Sequence, residues 1–162
     1  MVLIKKNRIK MRLLFSAISL LFILISCDEN RILDDYKSMP DAIWLKNDLV
    51  EFNFTLEDTL SKNNVFIKIR NTVDYPYSNI YLFTKVSFPD GKVLIDTLEY
   101  EMTDAEGMWL GDGVSGIKNN LLFFKKNVIF YEKGDYKFSI QQGMRTDSLV
   151  GIHDIGLRVE RQ

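Results

Sequence analysis

The sequence predicts an all-β protein, a single antiparallel β-sandwich of immunoglobulin-like or jelly-roll type that follows a lipoprotein signal peptide and a short tether. Three observations carry that expectation. From Trp44 onward apolar residues alternate with polar ones along most of the chain, the period of strands with one buried face. Glycine and proline turn signals separate these runs at roughly ten-residue spacing, as in sandwiches and barrels. No window of twelve residues carries an apolar stripe at helical spacing.

The opening segment lies apart from that domain. Lys5, Lys6, Arg8, Lys10 and Arg12 form a positive stretch without an acid, and Leu13 to Ile25 is apolar except for Ser16 and Ser19. A basic segment followed by a short apolar one is an export signal. A membrane-spanning helix needs about 20 apolar residues, and this run is shorter and passes into Asp28 and Glu29 rather than a basic flank. Met11 is an alternative to Met1 as the start, since Arg12 alone would still supply a positive charge.

The run ends Leu24-Ile25-Ser26-Cys27, which resembles the bacterial lipobox. That resemblance implies cleavage before Cys27, a diacylglycerol on its sulfur and an acyl chain on the new amino group. Cys27 is the only cysteine, and a lone thiol in an exported protein has no disulfide partner; lipid attachment explains it. One acyl chain holds a protein marginally, whereas two or three make release negligible. The expected division is therefore residues 1–26 as signal peptide, 27–43 as lipidated N-terminus and tether, and 44–162 as the sandwich domain.

Removing residues 1–26 takes five of the 21 basic residues and none of the 22 acids. The mature chain holds 16 against 22, a formal charge of −6. That balance argues against nucleic acid as a partner and against docking on anionic lipid through basic side chains. The membrane is expected as a partner through the lipid on Cys27.

The tether, "DENRILDDYKSMPD", is polar and has no sustained periodic face. Beyond it Val50, Phe52, Phe54 and Leu56 alternate with polar residues, and Val65, Ile67 and Ile69 form a second set. Ile80, Leu82, Thr84, Val86 and Phe88 make a third, and "FPDGK" supplies the turn that returns the chain into "KVLIDTLEY" as a hairpin. "NLLFFKKNVIFY" leads through "EKGD" into "YKFSIQQGM", expected as another strand pair, and "DIGLRVE" is a short closing strand. Seven or eight strands result.

The inventory for chemistry is small. His153 is the only histidine, beside Asp154, and no Ser-His-Asp, His-x-x-His or Cys-x-x-Cys spacing occurs; no catalytic residue, metal or cofactor is expected. Acid pairs such as Asp34-Asp35 read as solvated loop groups. The stretch "DAEGMWLGDGVSGIKNN" lacks a phosphate-loop pattern. Its glycines suit a folded connection between sheets with Trp109 plugging one end; the alternative is a binding loop that presents Trp109 to a partner. Tyr75 and Tyr77, in "DYPYSN", are either contacts at a rim or caps on the core.

The tripeptide Asp-[Ser/Thr]-Leu occurs three times, at Asp58-Thr59-Leu60, Asp96-Thr97-Leu98 and Asp147-Ser148-Leu149. Shuffled composition gives roughly 0.2 occurrences. It resembles an O-glycosylation acceptor of exported Bacteroidetes proteins, making Thr59, Thr97 and Ser148 candidate sites at apparent strand ends or connections. Turn-to-strand junctions also favour such triplets, because Asp suits turns and Thr suits strands.

The lipobox at Cys27, "IRNTVDYPYSNIYLF", the "PDG" turn followed by "DTLEY", "GMWLGDG", "KGDYKFSIQQGMR" and "LVGIHDIGLRVE" occur in this order. Together they resemble the gliding-motility lipoprotein GldH family of the Bacteroidetes group, over nearly all of the mature chain from Trp44. The resemblance implies a non-enzymatic envelope lipoprotein that acts with other gliding lipoproteins and the type IX secretion apparatus. Only Cys27 carries over with a defined role. Asp28 and Glu29 occupy the positions that lipoprotein sorting reads, and with the family role they imply the outer membrane, periplasmic face rather than cell surface. Two readings follow: an interaction protein of the motility and secretion machinery, or a glycan-binding module using Trp109, Tyr75 and Tyr77 as a stacking platform.

Overall fold

The computed structural model describes residues 30–162; the signal, Cys27, Asp28 and Glu29 lie outside the described residues. Ten strands run through that length: β1 Arg31–Ser38, β2 Ile43–Leu45, β3 Val50–Leu56, β4 Lys62–Thr72, β5 Asn79–Ser87, β6 Val93–Glu101, β7 Ile117–Ile129, β8 Gly134–Gln142, β9 Ser148–Val150 and β10 Ile152–Arg161. Pro40–Ala42 is the one helical turn among the described residues. One sheet has the order β1-β10-β4-β7 and the other β3-β8-β5-β6, while β2 and β9 form a separate short pair.

The pairing is nested. β1 pairs with β10, β2 with β9, β3 with β8, β4 with β7 and β5 with β6, all antiparallel. The chain is thus one long hairpin wound on itself, and the lateral pairs β10–β4 and β5–β8 close the winding. This is jelly-roll order, which decides between the two sandwich types left open by the strand pattern.

The alternation explains the core. Phe52, Phe54 and Leu56 on β3, Val65, Ile67 and Ile69 on β4, and Ile80, Leu82 and Val86 on β5 are all buried. Tyr136, Phe138 and Ile140 on β8 meet Ile155, Leu157 and Val159 of β10 in the same core. Phe54 stacks on Tyr136 with ring centroids 5.5 Å apart, and Phe130 meets Tyr136 edge-on at 5.0 Å. Each such side chain contributes about 1.5–3 kcal/mol on full burial. A polar stitch is satisfied within this core: the Asn120 amide donates to Ile69 O (3.1 Å) and to Asn71 Oδ1 (2.8 Å). The edge strands β6 and β7 are tied by the Tyr100 hydroxyl donating to Phe123 O (2.8 Å) and by Lys125 with Asp96 (2.8 Å).

Several sequence expectations change here. Residues 31–38, expected within a tether, form β1, and the ordered domain begins before Trp44. Charge hid this strand. On its outer face Asp34 pairs with Lys68, and the Tyr36 ring lies beneath Lys68 (3.9 Å) and Arg70 (4.1 Å), while Ile32 and Leu33 pack on the core. The "EKGD" segment does not join a strand pair, because β7 and β8 belong to different sheets and residues 130–133 cross between them. The closing strand is ten residues long and internal to its sheet, not short.

The register sorts the connections into two ends. Chain entry, residues 57–61, 88–92 and 130–133, and the C-terminus share one end: Arg161 N donates to Asn30 O (2.8 Å) and Gln162 N to Lys62 O (2.9 Å). The other end holds residues 39–49, 73–78, 102–116 and 143–147.

Candidate functional site

The end away from chain entry carries the aromatic residues singled out in the sequence. The β6–β7 connection is organised by Asp104, whose Oδ1 accepts from Glu106 N (3.1 Å) and Met108 N (2.7 Å), while Asp104 N donates to Met108 O (2.9 Å). Thr103 bridges Trp109, and Leu110 N donates to Met102 O (3.0 Å) beside the fully buried Met102 side chain. Asp112 and Asn119 exchange backbone hydrogen bonds of 3.0 and 2.6 Å. The stretch is therefore a folded crossing from one sheet to the other, with Trp109 half-buried against the core.

Tyr75 is buried and its hydroxyl donates to Asn79 O (2.8 Å). Burial, with Tyr77 nearby, pushes its phenol well above the usual range. It is a cap on the core rather than a rim contact. Tyr77 stands edge-on to it (5.7 Å, 70°) and Trp109 tilted (6.4 Å, 55°). The fold brings the three rings together, yet they are not coplanar and the hub is covered, so they do not make a flat platform for sugar rings.

Tyr77, 39% exposed, instead forms one wall of an open recess of about 430 Å³ with Tyr81, Gly143, Met144 and Arg145. Tyr81 N approaches Met144 Sδ (3.3 Å) and Gly143 N donates to Tyr81 O (2.7 Å). The buried Gln142 side chain accepts from Met144 N (2.9 Å) and donates to Thr146 O (3.0 Å), which fixes the floor. Tyr81, Met144 and Arg145 were not singled out from sequence. A signal existed for one of them: with Ile80, Leu82 and Thr84 facing inward, Tyr81 and Phe83 must face out, and both are exposed.

This recess offers rings, a thioether and a guanidinium, the chemistry of binding. Elsewhere, Asp154 accepts from Ser38 Oγ (2.6 Å) and sits 2.9 Å from His153 Nδ1. The hydroxyl addresses the carboxylate and not the imidazole, so no proton path runs from Ser38 to the ring as a nucleophile–base pair requires. Among the described residues no group of three or more His, Cys, Asp or Glu is placed to hold a metal.

The three candidate acceptor hydroxyls are scattered. Thr59 is half-buried in a turn where Asp58 Oδ1 accepts from Leu60 N (2.8 Å) and Ser61 N (3.2 Å). Ser148 is exposed at the start of β9. Thr97 is exposed within β6, not at a strand end, because the β5–β6 ladder continues past it from Ser87↔Val93 to Asn79↔Glu101.

Residues 31–159 match the family profile described as GldH lipoprotein. The chain belongs to the GldH lipoprotein family. A gliding motility lipoprotein GldH homolog of Christiangramia forsetii is 44% identical over 161 residues, covering 93% of this chain and 98% of the relative. The gliding motility lipoprotein GldH of Flavobacterium johnsoniae is 37% identical, covering 94% and 99%. A carbohydrate-binding module of family 28, specific for non-crystalline cellulose, aligns at 9% identity and a TM-score of 0.45, with 85% and 77% covered; so distant a likeness says nothing about ligands. GldH membership accounts for the sequence resemblance and ties the chain to gliding motility.

Proposed function

We propose that this chain is a non-enzymatic, lipid-anchored interaction component of the gliding machinery and its associated type IX secretion, held by lipid on Cys27. The observation that carries this reading is the GldH family match across residues 31–159. The recess of Tyr77, Tyr81, Met144 and Arg145 beside Trp109 is the partner-binding surface, with Tyr75 as its buried support. Aromatic and arginine side chains in a walled recess are the residue types that anchor protein interfaces. Its place is the outer membrane, periplasmic face, where other envelope proteins of the machinery are within reach.

Photo-crosslinking groups placed at positions 77 and 145 in the native envelope test this. Recovery of specific envelope proteins from both positions is expected, together with loss of spreading in a Tyr77→Ala, Arg145→Glu strain at unchanged protein level. Crosslinks absent at both positions in a membrane-attached protein contradict the assignment. Cys27→Ser is expected to abolish acyl labelling and displace the protein from the membrane fraction; unchanged labelling and fractionation refute the anchor.

The same host material tests Thr59, Thr97 and Ser148 as O-glycosylation acceptors. Thr97 and Ser148 are exposed, and Thr59 lies on a surface turn. Added hexose-type mass on peptides carrying those hydroxyls is expected. An intact mass equal to polypeptide plus acyl chains removes the proposal.

A further inference from the structure

We propose that the chain-entry end of the sandwich sits on the bilayer, with Leu60 and Tyr131 dipping into the lipid–water interface and the Tyr77 recess held away from the membrane. This deepens the reading above and rests on lipid at Cys27.

The first step is reach. Asn30 is fixed to the domain by Arg161 N (2.8 Å), and only Asp28 and Glu29 lie between it and Cys27, three residue-to-residue steps in all. At most ~3.6 Å per residue, that span is about 11 Å. An acylated Cys27 therefore draws the chain-entry end to the headgroups, because β1 takes up most of the segment expected as a tether.

The second step is orientation. Asn30 enters at an edge strand, so reach alone permits the sandwich to lie on its side. Leu60 and Tyr131 decide against that. They stand on adjacent crossovers of the same end: residues 57–61 and 130–133 both run between the Lys62↔Ile129 pair and the Leu56↔Gly134 pair. They are 87% and 81% exposed, two of the three most exposed large apolar side chains among the described residues. A tyrosine sits well at headgroup level, its ring in the apolar boundary and its hydroxyl wet, and a leucine beside it favours the same depth.

Charge is compatible with contact. Arg161 stands 4.0 Å from Asp58, Lys92 pairs with both Asp90 and Glu132, and Arg31 lies 3.3 Å from Asp34. Asp58, Asp90, Glu132 and Asp34 thus have cations beside them, which reduces part of the repulsion an acidic chain meets at anionic lipid. With β4 eleven residues long, at ~3.3 Å each the recess stands roughly 35 Å from the membrane-facing end. Lateral partners, rather than lipid, are what it can meet.

The test uses acylated full-length protein in phosphatidylethanolamine–phosphatidylglycerol vesicles, carrying Leu60→Cys, Tyr131→Cys or Val114→Cys. The Cys27 sulfur is blocked by its lipid, so each variant has one thiol for a bimane label. Val114, 84% exposed at the opposite end, controls for affinity of the label itself. Expected is quenching by brominated lipid at positions 60 and 131 and none at 114, in protein that floats with the vesicles. Floating protein quenched equally, or not at all, at the three positions overturns the orientation and leaves the anchor standing. Protein that fails to float overturns both.

Discussion

Gly156 shows how a single residue sets the outer face of a sheet. It lies opposite Tyr36, and a Cβ there would come within 2.6 Å of Tyr36 Cδ1 and 2.7 Å of Asp35 O. The ring covers the glycine while Lys68 and Arg70 cover the ring. Gly156→Ala must displace backbone as well as ring, so a loss of about 1–3 kcal/mol is expected from urea unfolding, as for other overpacked sites; an unchanged midpoint contradicts this packing. Asp154 supplies a pH prediction on the same face. Burial raises its carboxyl, but hydrogen bonds from Ser38 and His153, with Arg70 at 3.5 Å, outweigh it and hold the group below the ordinary carboxylate value. A group lowered in the folded state adds stability above its unfolded pKa, roughly 3.9, and that contribution vanishes as pH falls through the folded value. Asp154→Asn is therefore expected to flatten the fall in stability below about pH 4; an identical acid limb in wild type and variant rules this out.

At the scale of elements, legibility followed the alternation. β3 and β5 announce themselves because Val50 to Leu56 and Ile80 to Val86 bury every second residue, and β4 because Val65, Ile67 and Ile69 enter the core at the same spacing, although Phe66 between them is also buried, packed against Phe123. The "FPDGK" hairpin was equally plain, with Phe88 N donating to Lys92 O (2.9 Å) and Gly91 N to Phe88 O (3.0 Å). β1 was not legible because its outward residues are charged and partnered across the sheet, information that "RILDDYKS" alone does not hold. β2 and β9 span three residues each, too few for a period. The aromatic site was half legible for a related reason: "DYPYSN" and "GMWLGDG" name the rings, but which ring is covered depends on a contact between segments 34 residues apart, at Tyr75 and Trp109. β1 also separates two pictures of the N-terminus. If residues 28–38 were a tether, removing them would leave the domain's stability unchanged. As a strand, β1 covers one edge of β10 and packs Ile32 and Leu33 on the core. Deleting 28–38 is expected to lower stability by about 1 kcal/mol for each half-buried apolar side chain lost and to promote association through the bared β10 edge. Urea midpoints and light scattering of the two forms measure it.

For the whole molecule, the nested pairing makes a statement about folding order. The innermost pair, β5–β6, closes the five residues Phe88–Lys92, whereas β1–β10 joins segments separated by residues 39–151. Loop-closure entropy makes the outer pairing, formed first, roughly 3 kcal/mol costlier than the inner one. Each inner pair shortens the loop for the next, so the winding is expected to proceed from β5–β6 outward, with β1 added last. A topology of this kind, dominated by distant contacts, folds in milliseconds to seconds. Two substitutions probe opposite ends of the sequence of events. Gly91 sits at φ +85° with nothing within 4 Å of a built Cβ, so Gly91→Ala strains the hairpin turn without a clash; the strain, about 1 kcal/mol, is expected to appear as slower folding with unfolding little changed. Tyr36→Ala removes the ring that β1 lays over Gly156, an interaction formed after the barrier, and is expected to speed unfolding while leaving the folding rate near that of wild type. Stopped-flow chevrons of the two variants read both limbs directly. A slowed folding limb for Tyr36→Ala with an unaffected one for Gly91→Ala would place the chain termini in the nucleus and reverse the order argued from the nesting.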